Sequence, residues 1–536
     1  MAQPDLSHEQ VGEHERRALA GRAGIVGAGT LVSRLLGLVR DQTLAALFAR
    51  AQTDAFWVAF TLPNLLRQLV GEGAAASAVV PVLAQVRAEE GDGAARRFFA
   101  AMRGVSLLVL LVLTVGGIAA APWLVELFAS GLHARPGAFE ETVELTRWLF
   151  PYIFFMGSAA LGMAALNTYG RFAAAAFAPG LLNVAFIACA FALPAYLLSH
   201  GQRPVLALAA GALVGGLLQV VAQWPSLRSI GFAGRPRLDL RDRRVLDALG
   251  RMVPMMAGIG IYAVNLMFSR RFLSELPEGS QSYFSWAMRL CDFPQGIFVL
   301  ALQSAMLPSL AKLAALKQHD ELSKTYAYGM RLSLFVAIPA TALFVGLARP
   351  LVVTLFERGA FDSISSTQTA FALMAQGAGI WTIAAVRQLV PVFYALGDTR
   401  TPVWASGLNL VAFVTAALAL RGPLGHVGVS VAVTVSSAVQ MLLLWGWLAR
   451  RLTSLRLWEI SVAALRTLVA AAAAAGAGRG AALALVSPAA HPGHLARLLP
   501  GCVGIAVFAA VFFAAAAMLK SSELSALVAT VRRRHG

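Results

Sequence analysis

Residues 54–85 read DAFWVAFTLPNLLRQLVGEGAAASAVVPVLAQ. These 32 residues contain three ionisable side chains, Asp54, Arg67 and Glu72. A helix needs about 20 apolar residues to cross a bilayer. As one helix, at about 1.5 Å per residue, the stretch would be about 48 Å long. It is therefore predicted to cross a membrane and to tilt or break, with Pro63, Gly71 and Gly73 as the break points.

The same pattern recurs outward in both directions. Fourteen apolar runs occupy 23–46, 54–85, 98–129, 144–168, 177–199, 205–224, 252–273, 282–311, 332–348, 367–395, 402–420, 427–449, 461–486 and 498–519. Composition agrees with this. Of 536 residues 58% are apolar and 13% charged, and mean hydropathy is +0.69. Soluble domains carry about 25% charged residues. The expectation is an all-α polytopic membrane protein with 14 transmembrane helices.

The net charge of +17 is spread over the short segments between runs, so it points to membrane topology and not to a nucleic-acid partner. Alternate connecting segments, beginning with the N-terminal tail, hold 26 Lys and Arg, and the other set holds 7. By the positive-inside bias both termini are predicted to be cytoplasmic. The polar first 21 residues lack the pattern of a cleavable signal. Cys189, Cys291 and Cys502 are far apart within apolar stretches and read as packing residues.

A faint internal repeat organises the runs. GRFAAAAFAPGLLN (170–183) and GDTRTPVWASGLN (397–409) each close one run and open the next, six runs apart, and PVLAQ (81–85) echoes PSLAK (308–312). An even offset means that two six-helix lobes repeat in parallel. The expected plan is a cytoplasmic tail 1–22, an N-lobe 23–224, a basic cytoplasmic inter-lobe loop 225–251, a C-lobe 252–449, two further spans within 450–519 and a cytoplasmic tail 520–536.

The remaining 11 basic residues lie inside runs, and all are Arg. An Arg at a helix centre costs about 2.5–3.5 kcal/mol on insertion scales. Arg103, Arg147, Arg270, Arg271 and Arg466 lie near run ends and are expected to snorkel to the interface. Arg479 has no sequence-level explanation. Arg34 and Asp41 lie seven apart on one helical face, with Arg40 beside Asp41. Asn64 and Arg67 share a face just past Pro63, and Asp54 and Glu72 flank them. Arg289 and Asp292 precede Pro294, and Arg387 precedes Pro391. Five arginines against four acids beside helix breakers imply a polar cavity between the lobes. One reading is a set of closed structural ion pairs. The other is an anion site, because arginine is permanently charged and forks onto phosphate oxygens.

All nine His fall in tails or loops, and no Walker A, GxSxG or HExxH motif occurs, so neither an enzyme nor a metal cofactor is expected. LVSRLLGLVRD (31–41), TDAFWVAFTLPNLLRQLVGEGAAASAVVPVLA (53–84), FPYIFFMGSAALGMAALNTYGRFAAAAFAPGLLN (150–183) and FPQGIFVLALQSAMLPSLAK (293–312) resemble the MurJ/MviN lipid II flippase family. This family is part of the multidrug/oligosaccharidyl-lipid/polysaccharide exporter superfamily. The resemblance covers roughly residues 20–520. It implies two six-helix lobes plus two C-terminal helices, and transport of the lipid-linked peptidoglycan precursor from the cytoplasmic to the periplasmic leaflet of the bacterial inner membrane.

Residue by residue, the family's Ser-Arg pair matches Ser33 and Arg34, and its second arginine of the first span matches Arg40. Its TDAF aspartate, PN asparagine, next arginine and EG glutamate match Asp54, Asn64, Arg67 and Glu72. Its eighth-span arginine matches Arg289, and its basic tenth-span position is Arg387. Asp292 precedes FP, whereas Met288 stands where the family carries an acid. The resemblance implies that Ser33, Arg34, Arg40, Asn64, Arg67, Arg289 and Arg387 bind the substrate, with Arg34, Arg67 and Arg289 on its pyrophosphate. Asp41, Asp54, Glu72 and Asp292, together with Arg40, would close thin gates. Lipid II, membrane lipids and cell-wall synthesis machinery are the expected partners.

The membrane potential or an ion gradient is the expected driver. A sodium site would have to rely on carbonyls and Asn409, since runs seven, eleven and twelve hold no acid. The alternatives are a flippase for another polyprenyl-linked glycan, a cation-coupled drug antiporter of the same superfamily, and a non-transporting scaffold. The basic excess in the expected cavity argues against the antiporter.

Overall fold

A computed structural model describes residues 8–68, 74–452, 454–486 and 493–526. In it the second run is shared between α2 (Arg50–Arg67) and the start of α3 (Ala74–Ala129). Gly71 and Gly73 fall outside the described residues. Pro63 is not a break: it lies inside α2, between the buried Leu62 and Leu65. The helix accepts the one backbone bond that the ring removes because packing on both sides holds it. α3 kinks at Gly91, whose φ of 81° and ψ of 178° leave the helical region, as only glycine does without strain.

The described residues form helices throughout, with no strand among them. Before α2 lies α1 (His8–Leu47). After α3 come α4 (Ala138–Leu149), α5 (Tyr152–Thr168), α6 (Phe172–Ala192), the short α7 (Pro194–Ser199) and α8 (Leu206–Ser229). The chain continues through α9 (Arg243–Ser274), α10 (Ser280–Pro294), a π-helical turn and α11 (Leu300–Ala315). Then follow α12 (His319–Gly346), α13 (Ala348–Phe356), α14 (Ser363–Gly377), α15 (Ile380–Ala395), α16 (Arg400–Leu424) and α17 (His426–Ala449). The last two are α18 (Leu457–Ala484) and α19 (His494–Met518).

Ten helical stretches among the described residues are long and apolar enough to cross a membrane. The four expected runs that fall outside this set are the first, second, seventh and eighth. These runs carry Arg34, Arg40, Arg67 and Arg289, singled out as functional candidates, and Arg270 and Arg271, expected to snorkel. The expected inter-lobe loop is shorter than 225–251, because α8 continues to Ser229 and α9 starts at Arg243.

The chain divides into two compact units. The first comprises 1–48, 55–128 and 135–263, and the second 49–54, 129–134 and 264–536. The boundary thus falls within α9, later than residue 252. Each unit repeats one pattern. In the first, α4 and α5 share a run broken at Phe150–Pro151, and α8 packs on α5 and α6. In the second, α14 and α15 share a run broken at Ala378–Gly379, and α17 packs on α15 and α16.

Small residues set the closest crossings. A Cβ at Gly211 or Gly215 on α8 would lie 2.9 or 2.8 Å from the α6 backbone at Phe186 or Leu182. This is the small-xxx-small spacing that lets membrane helices approach. On α18, a Cβ at Gly478 would lie 2.7 Å from the Gly504 carbonyl oxygen of α19. Large apolar side chains face outward, among them Val112 and Val115 on α3 and Leu465 and Val469 on α18, as expected of surfaces that meet lipid.

Candidate functional site

In the first unit the site is built on one face of α1. Leu31, Val32, Leu35 and Val39 are exposed on the opposite face, while Ser33, Arg34 and Gly37 are half-buried and Arg40 and Asp41 buried. Arg40 donates from Nε and Nη2 to Asp41 Oδ1, at 2.9 and 2.6 Å. Its Nη1 donates to Asn183 Oδ1 on α6 at 3.1 Å. Asn183 Nδ2 in turn donates to the Ser33 carbonyl at 2.9 Å, and the guanidinium lies 5.5 Å from the Phe186 ring centroid. Arg40 is 8% exposed and Asp41 5%, so this buried pair has its fork and amide partners in place.

Arg34 differs. It stands two turns from Asp41 on the same face and makes no hydrogen bond or ion pair with any described residue. On α2, Arg67 Nε donates to Asn64 Oδ1 at 3.0 Å, confirming the shared face expected from the i, i+3 spacing. Glu72 lies outside the described residues.

The second unit takes in the first turn of α2. Asp54, 1% exposed, accepts from the backbone amides of Gly279 and Ser282 at 2.7 and 2.8 Å and from Ser282 Oγ at 2.7 Å. Thr53 Oγ1 lies 2.7 Å from the same hydroxyl. Asp54 thus caps the N-terminus of α10 from a separate helix, supplying acceptors to otherwise unpaired donors. Along α10, Arg289 is half-buried and Asp292 exposed, and Arg387 is half-buried on α15.

Arg270 corrects the snorkelling expectation. It is 2% exposed, and its Nη1 donates to Gln281 Oε1 at 3.0 Å and to Ser285 Oγ at 2.8 Å. Arg147, Arg466 and Arg479 are exposed, in keeping with an interfacial position for the first two. His426, expected in a loop, is buried at the first position of α17, with Nε2 3.1 Å from the Gln368 carbonyl.

Sequence reasoning missed Asn183, although it ends the repeated GLLN segment. Its counterpart Asn409 ends GLN and accepts from Asn265 Nδ2 at 3.3 Å. The repeat therefore held a usable signal, an amide at one position in each half. Among the described residues no cluster of three or more His, Cys, Asp or Glu is arranged to hold a metal.

The described geometry therefore holds one saturated arginine–aspartate pair, one unengaged half-buried arginine, and further arginines beside helix interruptions. The model of the family described as lipid II flippase MurJ matches residues 44–491. A lipid II flippase MurJ of Burkholderia cenocepacia is 37% identical over 431 residues, covering 80% of this chain and 83% of the relative. A probable lipid II flippase MurJ of Rhizobium meliloti is 33% identical over 526 residues, covering 96% and 97%. A solved lipid II flippase MurJ in an inward closed conformation superposes with a TM-score of 0.73 at 20% identity, covering 92% of this chain and 99% of that one. An inward-facing multidrug MATE transporter gives 0.67 at 17% identity, covering 79% and 95%. These two likenesses concern the fold.

Proposed function

The chain belongs to the lipid II flippase MurJ family, and from that premise we propose how its arginines handle the substrate. The protein is a multi-pass membrane transporter and not an enzyme. It translocates lipid II, the undecaprenyl-pyrophosphate-linked peptidoglycan precursor, for assembly outside the cytoplasmic membrane.

The head group carries a pyrophosphate, and an anion moving through a low-dielectric region needs fixed positive charge with open donors. Arg34 meets that need. It is half-buried within the apolar LVSRLLGLV stretch of α1 and holds no partner among the described residues, and this observation carries the assignment. Arg67, Arg289 and Arg387 supply further guanidinium forks, with Asn64 orienting Arg67 and Ser33 standing beside Arg34. Arg40 is different in kind: with Asp41 and Asn183 it forms a closed pair that opens when α1 and α6 separate, so it serves gating more than binding. Asp54, which caps α10 from α2, completes the gating set with Asp292 and Glu72.

The cycle is alternating access. Both termini are cytoplasmic, as the distribution of Lys and Arg supports. α18 and α19, with their outward apolar side chains, give the polyprenyl tail its groove. The potential across the membrane drives the cycle through the charge carried.

The test is transport of lipid II into the outer leaflet of vesicles by Arg34→Lys. Lysine keeps the charge and loses the fork, so the rate should fall at least tenfold. A wild-type rate in the lysine variant would reduce Arg34 to a point charge and overturn its role as a fork.

A further inference from the structure

The linker between α8 and α9 is not a free loop. Phe232 stacks on Phe99 of α3, ring centroids 4.8 Å apart, and lies edge-on to Tyr169 at 5.0 Å. The Arg237 amide donates to the Ala100 carbonyl at 2.9 Å. Gly231, at φ +80°, turns the chain beneath Arg96, where a Cβ would lie 2.8 Å from Nε. This anchoring encloses a cavity of about 220 Å³ between the linker and α3, lined by Arg96, Arg97, Arg103, Arg235 and Arg237 and by no carboxylate. None of the five makes an ion pair with a described residue. The acids flanking these arginines in sequence are engaged elsewhere: Asp92 accepts from Arg87 Nε at 3.1 Å and the Tyr169 hydroxyl at 2.9 Å, and Asp239 from the Arg241 and Asp242 amides at 3.0 and 3.2 Å.

A second opening adjoins this cavity and shares Phe99 and Arg103 with it. It runs between α3, α5 and α8 past Ser106, Gln223 and Trp224. Gln223 is 1% exposed, yet neither its Oε1 nor its Nε2 has a hydrogen-bond partner. A buried amide in that condition costs free energy unless something fills the gap. Beyond it, Leu217, Leu218, Val221 and Trp224 stand exposed along α8.

We propose that this pair of openings binds an anionic phospholipid, its phosphate held by the five arginines and a glycerol-ester group hydrogen-bonded to Gln223. The acyl chains then lie along the exposed α8 residues. Five guanidinium groups without an ion-pair partner among the described residues, of which Arg103 alone donates to a backbone carbonyl, that of Gly234, and a lining without an acid select a phosphate. The continuation into a slot with one unpartnered amide and an apolar exit selects a lipid over free phosphate. Basic pockets on the side that the Lys/Arg bias assigns to the cytoplasm are suited to such head groups. The site is separate from the α1 arginines, so its occupancy is independent of the substrate assignment.

The test uses the purified full chain in uncharged detergent. Retained lipid is counted by native mass spectrometry, and thermal midpoints are measured with dioleoyl phosphatidylglycerol, dioleoyl phosphatidylethanolamine or inorganic phosphate. The wild type should retain phosphatidylglycerol in preference to phosphatidylethanolamine. A variant carrying Arg97→Gln, Arg235→Gln and Arg237→Gln, all exposed positions, should bind phosphatidylglycerol roughly a hundredfold more weakly. Gln223→Leu should raise the midpoint of the lipid-free protein by removing unpaired buried polar atoms, and should lower the shift that phosphatidylglycerol adds. Equal retention of both lipids, or by wild type and triple variant, overturns the proposal. Inorganic phosphate binding as tightly as the lipid, with Gln223→Leu changing neither, overturns the lipid in favour of a free phosphate.

Discussion

The side-chain oxygen of Asn183 on α6 accepts from Arg40 on α1 at 3.1 Å, across 143 residues of chain. With its amide nitrogen on the Ser33 carbonyl, this one side chain ties the arginine of the Arg40–Asp41 pair to the backbone of the Ser33–Arg34 dipeptide. The saturated charge and the unengaged one are therefore held in register on a single helix.

Asn183→Ala removes both bonds and leaves buried polar atoms unpaired, so the folded protein should lose about 1–3 kcal/mol. The loss should be non-additive with that of Arg40→Gln, because both act on one network. Denaturant unfolding of the two single variants and the double variant measures the coupling. Strict additivity would show that the contact carries no energy.

Asp54→Ala strips three acceptor contacts from the start of α10 and should cost about 1–2 kcal/mol, the range for losing a helix cap. Asp54→Asn, which keeps one acceptor oxygen, should lose less. Hydrogen exchange at the Gly279 and Ser282 amides locates the effect: protection should fall there in the alanine variant and remain elsewhere on α10.

Arg270→Met leaves Gln281 and Ser285 facing a hydrocarbon, and should destabilise by about 3–5 kcal/mol, as for a broken buried charged network. Arg466→Ala, at an exposed site, should stay within about 0.5 kcal/mol of wild type. Thermal midpoints of the pair compare the two classes of intrahelical arginine directly.

Those two arginines also show where sequence reasoning stops. Hydropathy identified the helical class and the positions of ten of the runs, because an apolar run of 20 residues has few other uses. Spacing placed Asn64 with Arg67 correctly, since i, i+3 partners share a helix face by geometry alone. It did not separate Arg270 from Arg466. Both lie a turn or two inside a run end, and only the partner helix decides whether the side chain reaches water or Gln281. The Asp54 cap was equally hidden, because its donors are backbone amides 225 and 228 residues away. Pro63 misled because a proline counts as a breaker only when packing does not hold the helix on either side.

The C-terminal segment supplies a pH dependence. Burial would raise the Glu523 carboxyl, but its own backbone amide, Arg331 and Ser521 outweigh burial and hold it below its ordinary value of 4.5. Arg331 Nε donates to it at 2.7 Å. With a depressed folded value, the stabilisation is complete above about pH 4.5 and is lost as pH falls through that lower value. Limited proteolysis after residue 520 should therefore accelerate below pH 4.5 and stay flat from pH 6 to 8. Glu523→Gln should show the acid-side rate at neutral pH.

The central claim is that Arg34 holds the pyrophosphate of lipid II. The most direct test is complementation of a bacterial strain depleted of its own lipid II flippase, with wild type and Arg34→Ala compared at matched membrane abundance. Growth is expected with wild type and lysis with Arg34→Ala. Growth with both would contradict the claim, leaving the transport activity in place and the anion site elsewhere.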